Sequence, residues 1–161
     1  MPRGLAAGLL IAAAVPPWGW WPAAFIGLAL LDRLVADRPL SSRFRRGLLV
    51  GAAWAFPSTV WMLDLTPVGW LAAGLLHAGW LGLAAAAVPP GRWRRLGLVG
   101  TVTLAELGRW SVPFGGAPLA SIALGQAGGP LAPIVRIAGP LLLVALTVAV
   151  GMGLSALFDG R

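Results

Sequence analysis

Glu106 and Arg109 stand three residues apart in "TLAELGRWS", opposite charges in a chain that otherwise keeps charge out of its long runs. At that spacing on a helix the two side chains share a face and can meet. Such a pair could steady a neighbouring segment, take an anionic phospholipid headgroup, or simply fix one helix against the next. A charge at the centre of a membrane helix costs about 2.5–3.5 kcal/mol on insertion scales. Pairing lowers that cost, so the two should face the interior of a bundle. His77, the one histidine, lies inside another apolar run with no Cys, Asp or Glu at ligand spacing. It is expected to pack and hydrogen-bond, with proton relay or headgroup contact as the alternative. Gln126, after Gly125, could bond a lipid ester or satisfy a turn, and Arg136 could contact a phosphate or anchor an interface. With no cysteine in the chain there is no thiolate nucleophile, disulfide or cysteine metal site. No metal or cofactor is expected, and no catalytic residue is assigned within these 161 residues.

The elements that position these residues must be apolar helices. Only 11% of the chain is charged, against roughly 25% in soluble domains, and the mean hydropathy is +0.85. Uncharged runs cover 4–31, 47–63, 65–91, 110–135 and 137–158. A hydrocarbon core of about 30 Å takes about 20 apolar residues as helix. The expected fold is therefore all-α, a multi-pass transmembrane helical bundle forming a single domain of about six spans. They are placed at about 3–15, 22–36, 47–63, 68–88, 96–112 and 134–157, with a Gly/Pro-rich external segment at 113–133. The first two form a hairpin broken at "PPWGWWP", where Pro16 and Pro17 stop a helix. Trp18, Trp20 and Trp21 suit a membrane–water interface, as does Trp110. A signal peptide or one long kinked span is the competing reading of this start.

All twelve basic residues are arginine, and they gather between the apolar runs. "DRPLSSRFRR" and "PPGRWRR" are separated by two spans and so share a side; Arg3 and Arg161 fall there too. By the positive-inside rule that side is cytoplasmic, which puts both termini in the cytoplasm. The net charge of +7 thus reflects orientation in a membrane rather than nucleic-acid binding. Gly4-x-x-x-Gly8 and Gly47-x-x-x-Gly51 have the spacing that permits close helix approach.

Four stretches together resemble the N-terminal membrane part of the apolipoprotein N-acyltransferase family. They are the hairpin at "PPWGWWP" with the following "RFRRGLLVG", the Glu-x-x-Arg of "ELGRW", the segment "PFGGAPLASIALGQ", and "PLAPIVRIAGPLLLVALTVAV". Their order and spacing cover nearly the whole chain. One departure is Leu119, which follows Pro118 where the family commonly has an aromatic. The resemblance implies a bacterial inner-membrane location and a part in lipoprotein maturation. There, an acyl chain passes from a phospholipid to a cysteine thioester and then to the amino group of a diacylglyceryl-lipoprotein. Capture on a thiolate splits one hard transfer into two easier ones. The family's Cys, Glu and Lys machinery lies in a nitrilase-like domain, and this chain has neither Cys nor Lys. The resemblance thus implies a membrane portion that is catalytically incomplete alone, a truncated or separately encoded part, with phospholipid, lipoprotein substrate and a nitrilase-like domain as partners. The alternatives are a small non-enzymatic binding or transport module, and a fragment without activity.

Overall fold

Proline opens three of the helices. Pro2, Pro22 and Pro67 stand in the first turns of α1 (Pro2–Ala14), α2 (Trp21–Val35) and α4 (Pro67–Ala87), where a missing N–H loses nothing and the fixed φ suits the helix. Between them lies α3 (Leu40–Ser58), and after them come α5 (Arg94–Ser111), the one-turn α6 (Ile122–Gly125) and α7 (Val135–Asp159). These seven α-helices, with short 3-10 turns at Val60–Asp64, Gly91–Trp93 and Ala132–Ile134, make up the regular structure among the described residues. The structure is a computed structural model describing residues 1–112, 115 and 118–159. Pro113, Phe114, Gly116 and Ala117 of the expected external segment, and Arg161, which bears on sidedness, lie outside the described residues.

Six helices close a ring. Each packs on two neighbours in the order α1, α2, α7, α5, α4, α3 and back to α1. The N-terminal stretch is therefore two helices side by side, α1 against α2, with the turn falling at the prolines. One core runs through the ring, with Ile11, Leu28, Val50, Leu81, Val102 and Val148 among its members. Side-chain size sorts the two faces. In α4 the buried residues include Ala73, Gly74, Ala78, Gly82, Ala84 and Ala85, while Val68, Leu71, Leu75 and Leu83 point outward. Small residues inward let backbones approach, and contiguous apolar surface outward marks a surface made to be covered.

Both glycine pairs noted in the sequence sit at such approaches. A Cβ on Gly8 would overlap the Val50 carbonyl oxygen of α3, and one on Gly51 would lie 2.8 Å from Ala78 Cα of α4.

Several expected boundaries shift, each for a local reason. The third helix starts at Leu40 rather than near 47, so Arg43, Arg45 and Arg46 belong to its first turns instead of a loop. It ends at Ser58, and the chain continues to Asp64 as a 3-10 turn. The last helix is interrupted: Ala138 (φ −140°) and Gly139 (φ +73°) leave helical geometry just before Pro140. Proline disfavours helix in the residue before it, and glycine alone takes positive φ freely. The regular part of α7 is thus 140–159, roughly 30 Å long at 1.5 Å per residue. The expected external segment is not a plain loop, since it contains α6 and the turn at Ala132–Ile134.

By length and composition, two helices can cross a membrane, Pro67–Ala87 and Ala132–Asp159. The expectation of six spans is narrowed accordingly. The 13 residues of α1 and 15 of α2 reach only about 20 and 22 Å, short of a ~30 Å core. Arginines occupy the first turns of α3 and α5.

The close approaches make a testable contrast. Gly51→Leu should lower stability in detergent by about 1–3 kcal/mol through overpacking. Gly100, with open space where a Cβ would stand, should accept Gly100→Ala with a gain of about 0.5–1 kcal/mol. Equal shifts in thermal unfolding would contradict this packing.

Candidate functional site

The third-residue spacing does bring Glu106 and Arg109 together. Arg109 Nη2 lies 2.8 Å from Glu106 Oε1, and both side chains are almost fully buried. The pair is not isolated on α5. The Arg109 guanidinium sits over the Trp54 ring of α3, 4.6 Å from its centroid, a cation–π contact that strengthens with desolvation. The other carboxylate oxygen, Oε2, accepts a hydrogen bond from Ser121 Oγ at 2.9 Å. Arg109 Nη2 also donates to the Leu119 carbonyl at 3.3 Å. Ser121 caps α6, its Oγ accepting from the Ala123 amide at 3.1 Å.

The ion pair therefore grips the Gly/Pro-rich segment on both sides of Ala120. That residue holds φ +50°, a conformation that costs a side-chain-bearing residue about 1–2 kcal/mol. Such strain persists only where the surroundings over-determine it, and here the carbonyl before Ala120 and the hydroxyl after it are both held by α5.

His77 of α4 joins this group. With Trp54, Leu81, Val102, Ala105, Glu106 and Arg109 it lines a cavity of about 10 Å³, no larger than one water and far below a phosphate headgroup. Among the described residues, His77 Nδ1, Trp54 Nε1 and Arg109 Nε and Nη1 are buried without hydrogen-bond partners. Ser121 is only 1% exposed, so its hydroxyl is not open to attack a substrate. What this constellation can do is hold and orient.

The remaining expected residues fall elsewhere. Gln126 is fully buried, its Nε2 donating to the Trp21 carbonyl at 2.9 Å; it ties the same segment to the start of α2. Arg136 is exposed in the turn ahead of the α7 interruption. Trp18 and Trp20 are exposed at the hairpin turn, while Trp21 packs edge-on against Phe25. Trp110 borders an apolar cleft of about 190 Å³ with Pro118, Leu124 and Pro140.

A second ionic cluster, at the opposite end of α5, escapes the sequence reading. Asp32 of α2 is fully buried and accepts four hydrogen bonds. Arg94 reaches Oδ1 through Nε at 2.6 Å and Oδ2 through Nη2 at 3.1 Å; Arg95 Nε and Ser155 Oγ reach Oδ2 at 3.2 and 2.8 Å. Asp159 of α7 pairs with Arg95 and Arg33. The forked Arg94 contact is the strong, directional kind. The available signal was a lone acid at the edge of "AFIGLALLDRLV" facing a tandem Arg-Arg.

Two clusters thus divide the bundle into an arginine-rich end and a tryptophan-rich end. In a double-mutant cycle, Glu106→Ala should destabilise by about 3–5 kcal/mol, because it strands a buried guanidinium. Adding Arg109→Met should recover much of that loss. Ala120→Val should be far more damaging than Ala120→Gly, since a β-branched residue fits positive φ worst. Additive effects in the cycle, or equal effects at Ala120, would contradict the clamp.

Residues 7–153 match the family model described as the apolipoprotein N-acyltransferase N-terminal domain. The match takes in most of the hairpin, Glu106 with Arg109, Asp32 with Arg94 and Arg95, and α7 as far as Gly153, leaving Ser155 and Asp159 outside it. The chain belongs to the apolipoprotein N-acyltransferase N-terminal domain family.

Proposed function

We propose that the chain is the integral membrane portion of an enzyme that acylates the N-terminus of lipoproteins. In this reading all six ring helices lie in the cytoplasmic membrane of a bacterium, the arginine-rich end inward and the tryptophan-rich end outward. The observation that carries it is the grip of Glu106 and Arg109 on Leu119 and Ser121, within a chain of that family. A segment so held offers a fixed surface at the outer end of the bundle. Two lipid substrates could be presented there to a catalytic domain, and positioning is a large share of many rate enhancements.

The chemistry itself needs a thiolate, which these residues do not supply, having no cysteine and no lysine. A nitrilase-like domain provides it, whether joined to this chain or acting as a separate partner. The outward-facing leucines of α4 and the apolar surface around them support the membrane setting. The short α1 and α2 sit within the bilayer as a hairpin anchored by Trp18 and Trp20.

Because the chain lacks cysteine, single introduced thiols report sidedness directly. Asp64→Cys should react with a membrane-impermeant maleimide added outside intact cells, and Arg92→Cys only after the membrane is opened. The reverse pattern would overturn the orientation. In proteoliposomes, this chain combined with a nitrilase-like domain should transfer an acyl group from phospholipid to a diacylglyceryl peptide. Glu106→Ala should lower that rate at least tenfold, while Arg92→Gln, at an exposed position, should leave it unchanged. No transfer and no complex with any such domain would defeat the proposal.

A further inference from the structure

At the arginine-rich end, Arg3 of α1, Arg33 of α2, Arg38 of the following turn and Arg46 of α3 line one cleft of about 730 Å³. Leu30 and Leu34 also border it, and no acidic residue does among the described residues. Two of these arginines are already oriented by the protein. Arg46 donates through Nη1 to the Leu34 carbonyl and through Nε to Ser42 Oγ, each at 3.1 Å, and Arg33 pairs with Asp159 at 3.2 Å. Arg3 and Arg38 are exposed and make no ion pair or side-chain hydrogen bond among the described residues. The acid next in sequence, Asp37, is exposed in the same turn and does not border the cleft. With Arg33 already matched by Asp159, the three like charges of Arg3, Arg38 and Arg46 around one opening repel each other and favour a shared counter-anion.

The opening continues into a more apolar lane. A second cleft of about 300 Å³ shares Met1, Leu34 and Arg46 with the first and is lined further by Gly4, Ser42, Arg45 and Leu49, between α1 and α3. Leu5 and Leu9 of α1 are exposed. A free inorganic anion would need the arginines but not the lane.

We infer that this cleft binds the headgroup of an anionic glycerophospholipid, its phosphate held by Arg3, Arg38 and Arg46 and its glycerol and first acyl carbons lying along Leu34 and Leu49. Basic pockets between membrane helices suit such headgroups, and guanidinium matches phosphate in planar, paired contacts. The site lies at the opposite end of α5 from Glu106 and Arg109, away from the surface proposed for acyl transfer. The inference rests on the membrane setting proposed above but not on any transfer activity.

Purified chain in a neutral detergent, titrated calorimetrically with dioctanoyl phosphatidylglycerol, should bind saturably near one lipid per chain. Dioctanoyl phosphatidylcholine and inorganic phosphate should bind at least tenfold more weakly. Arg3→Gln with Arg38→Gln, which removes none of the internal bonds above, should weaken binding tenfold or more at unchanged thermal unfolding. The corresponding lysine pair should retain most of it, and Leu49→Trp, which fills the lane but keeps every arginine, should also weaken it. The inference is overturned if phosphatidylcholine or inorganic phosphate binds equally well, or if the glutamine pair binds like the parent. It is overturned equally if Arg92→Gln, outside the cleft, weakens binding as much, because the attraction would then be diffuse charge. Thiol labelling that contradicts the proposed orientation would leave these titrations unchanged, so the two readings fail separately.

Discussion

Helix α5 is pinned at both ends by carboxylates, and those two attachments tie it to α2, α3 and α7. Near its start, Arg94 and Arg95 close on the buried Asp32 of α2, with Ser155 of α7 completing the set. Near its end, its own Glu106 and Arg109 reach α3 through Trp54 and the Gly/Pro-rich segment through Leu119 and Ser121. Leu98, Val102 and Ala105 supply its buried apolar contacts, which are non-directional and do not by themselves set its depth or rotation. Charges shielded from water do, because their attraction grows as the dielectric falls and an unmatched partner is expensive. The two clusters lie about 18 Å apart along α5, given twelve residues from Arg94 to Glu106. Sliding or turning the helix would break both.

Helix α4 is sorted differently. Alanine and glycine dominate its inward face, with Leu81 among them, while Val68, Leu71, Leu75 and Leu83 face out. Close backbone approach and ionic and hydrogen-bonded anchors thus act beside a core of larger apolar side chains such as Ile11, Leu28 and Leu98. In this chain of the apolipoprotein N-acyltransferase N-terminal domain family, the anchors hold one segment in particular. The segment after α5 leaves the bundle at the tryptophan-rich end, yet it is held at Leu119, Ser121 and Gln126.

What could be read from the sequence was whatever depended on neighbours along the chain. The meeting of Glu106 with Arg109 follows from three-residue spacing, and the helical hairpin follows from adjacent prolines. The close approaches at Gly8 and Gly51 were visible as spacing, though their partners Val50 and Ala78 were not. Asp32 went unnoticed because its partners Arg94 and Ser155 are 62 and 123 residues away, and no local pattern announces a contact at that range. The placement of His77 beside the ion pair was hidden for the same reason, since it needs α4 and α5 to pack side by side. The shorter reach of α1 and α2 was legible in residue counts, and the interruption of α7 lay in plain sight as "AGP".

The distance between Asp32 and Arg94 has a consequence for how the chain is made. A ribosome adding about 5–20 residues per second takes on the order of 3–12 s to supply the guanidinium after the acid has emerged. Throughout that interval the carboxylate lacks the Arg94 and Arg95 contacts that accompany its burial in the folded bundle. Its location at the last turns of α2, next to Arg33 and the charged "ADRPLSSR" stretch, lets it wait in water. The acid therefore meets its first guanidinium partners only once the start of α5 has been made, and the Ser155 hydroxyl of α7 joins them later still, so that the full set around Asp32 is complete only with the last helix.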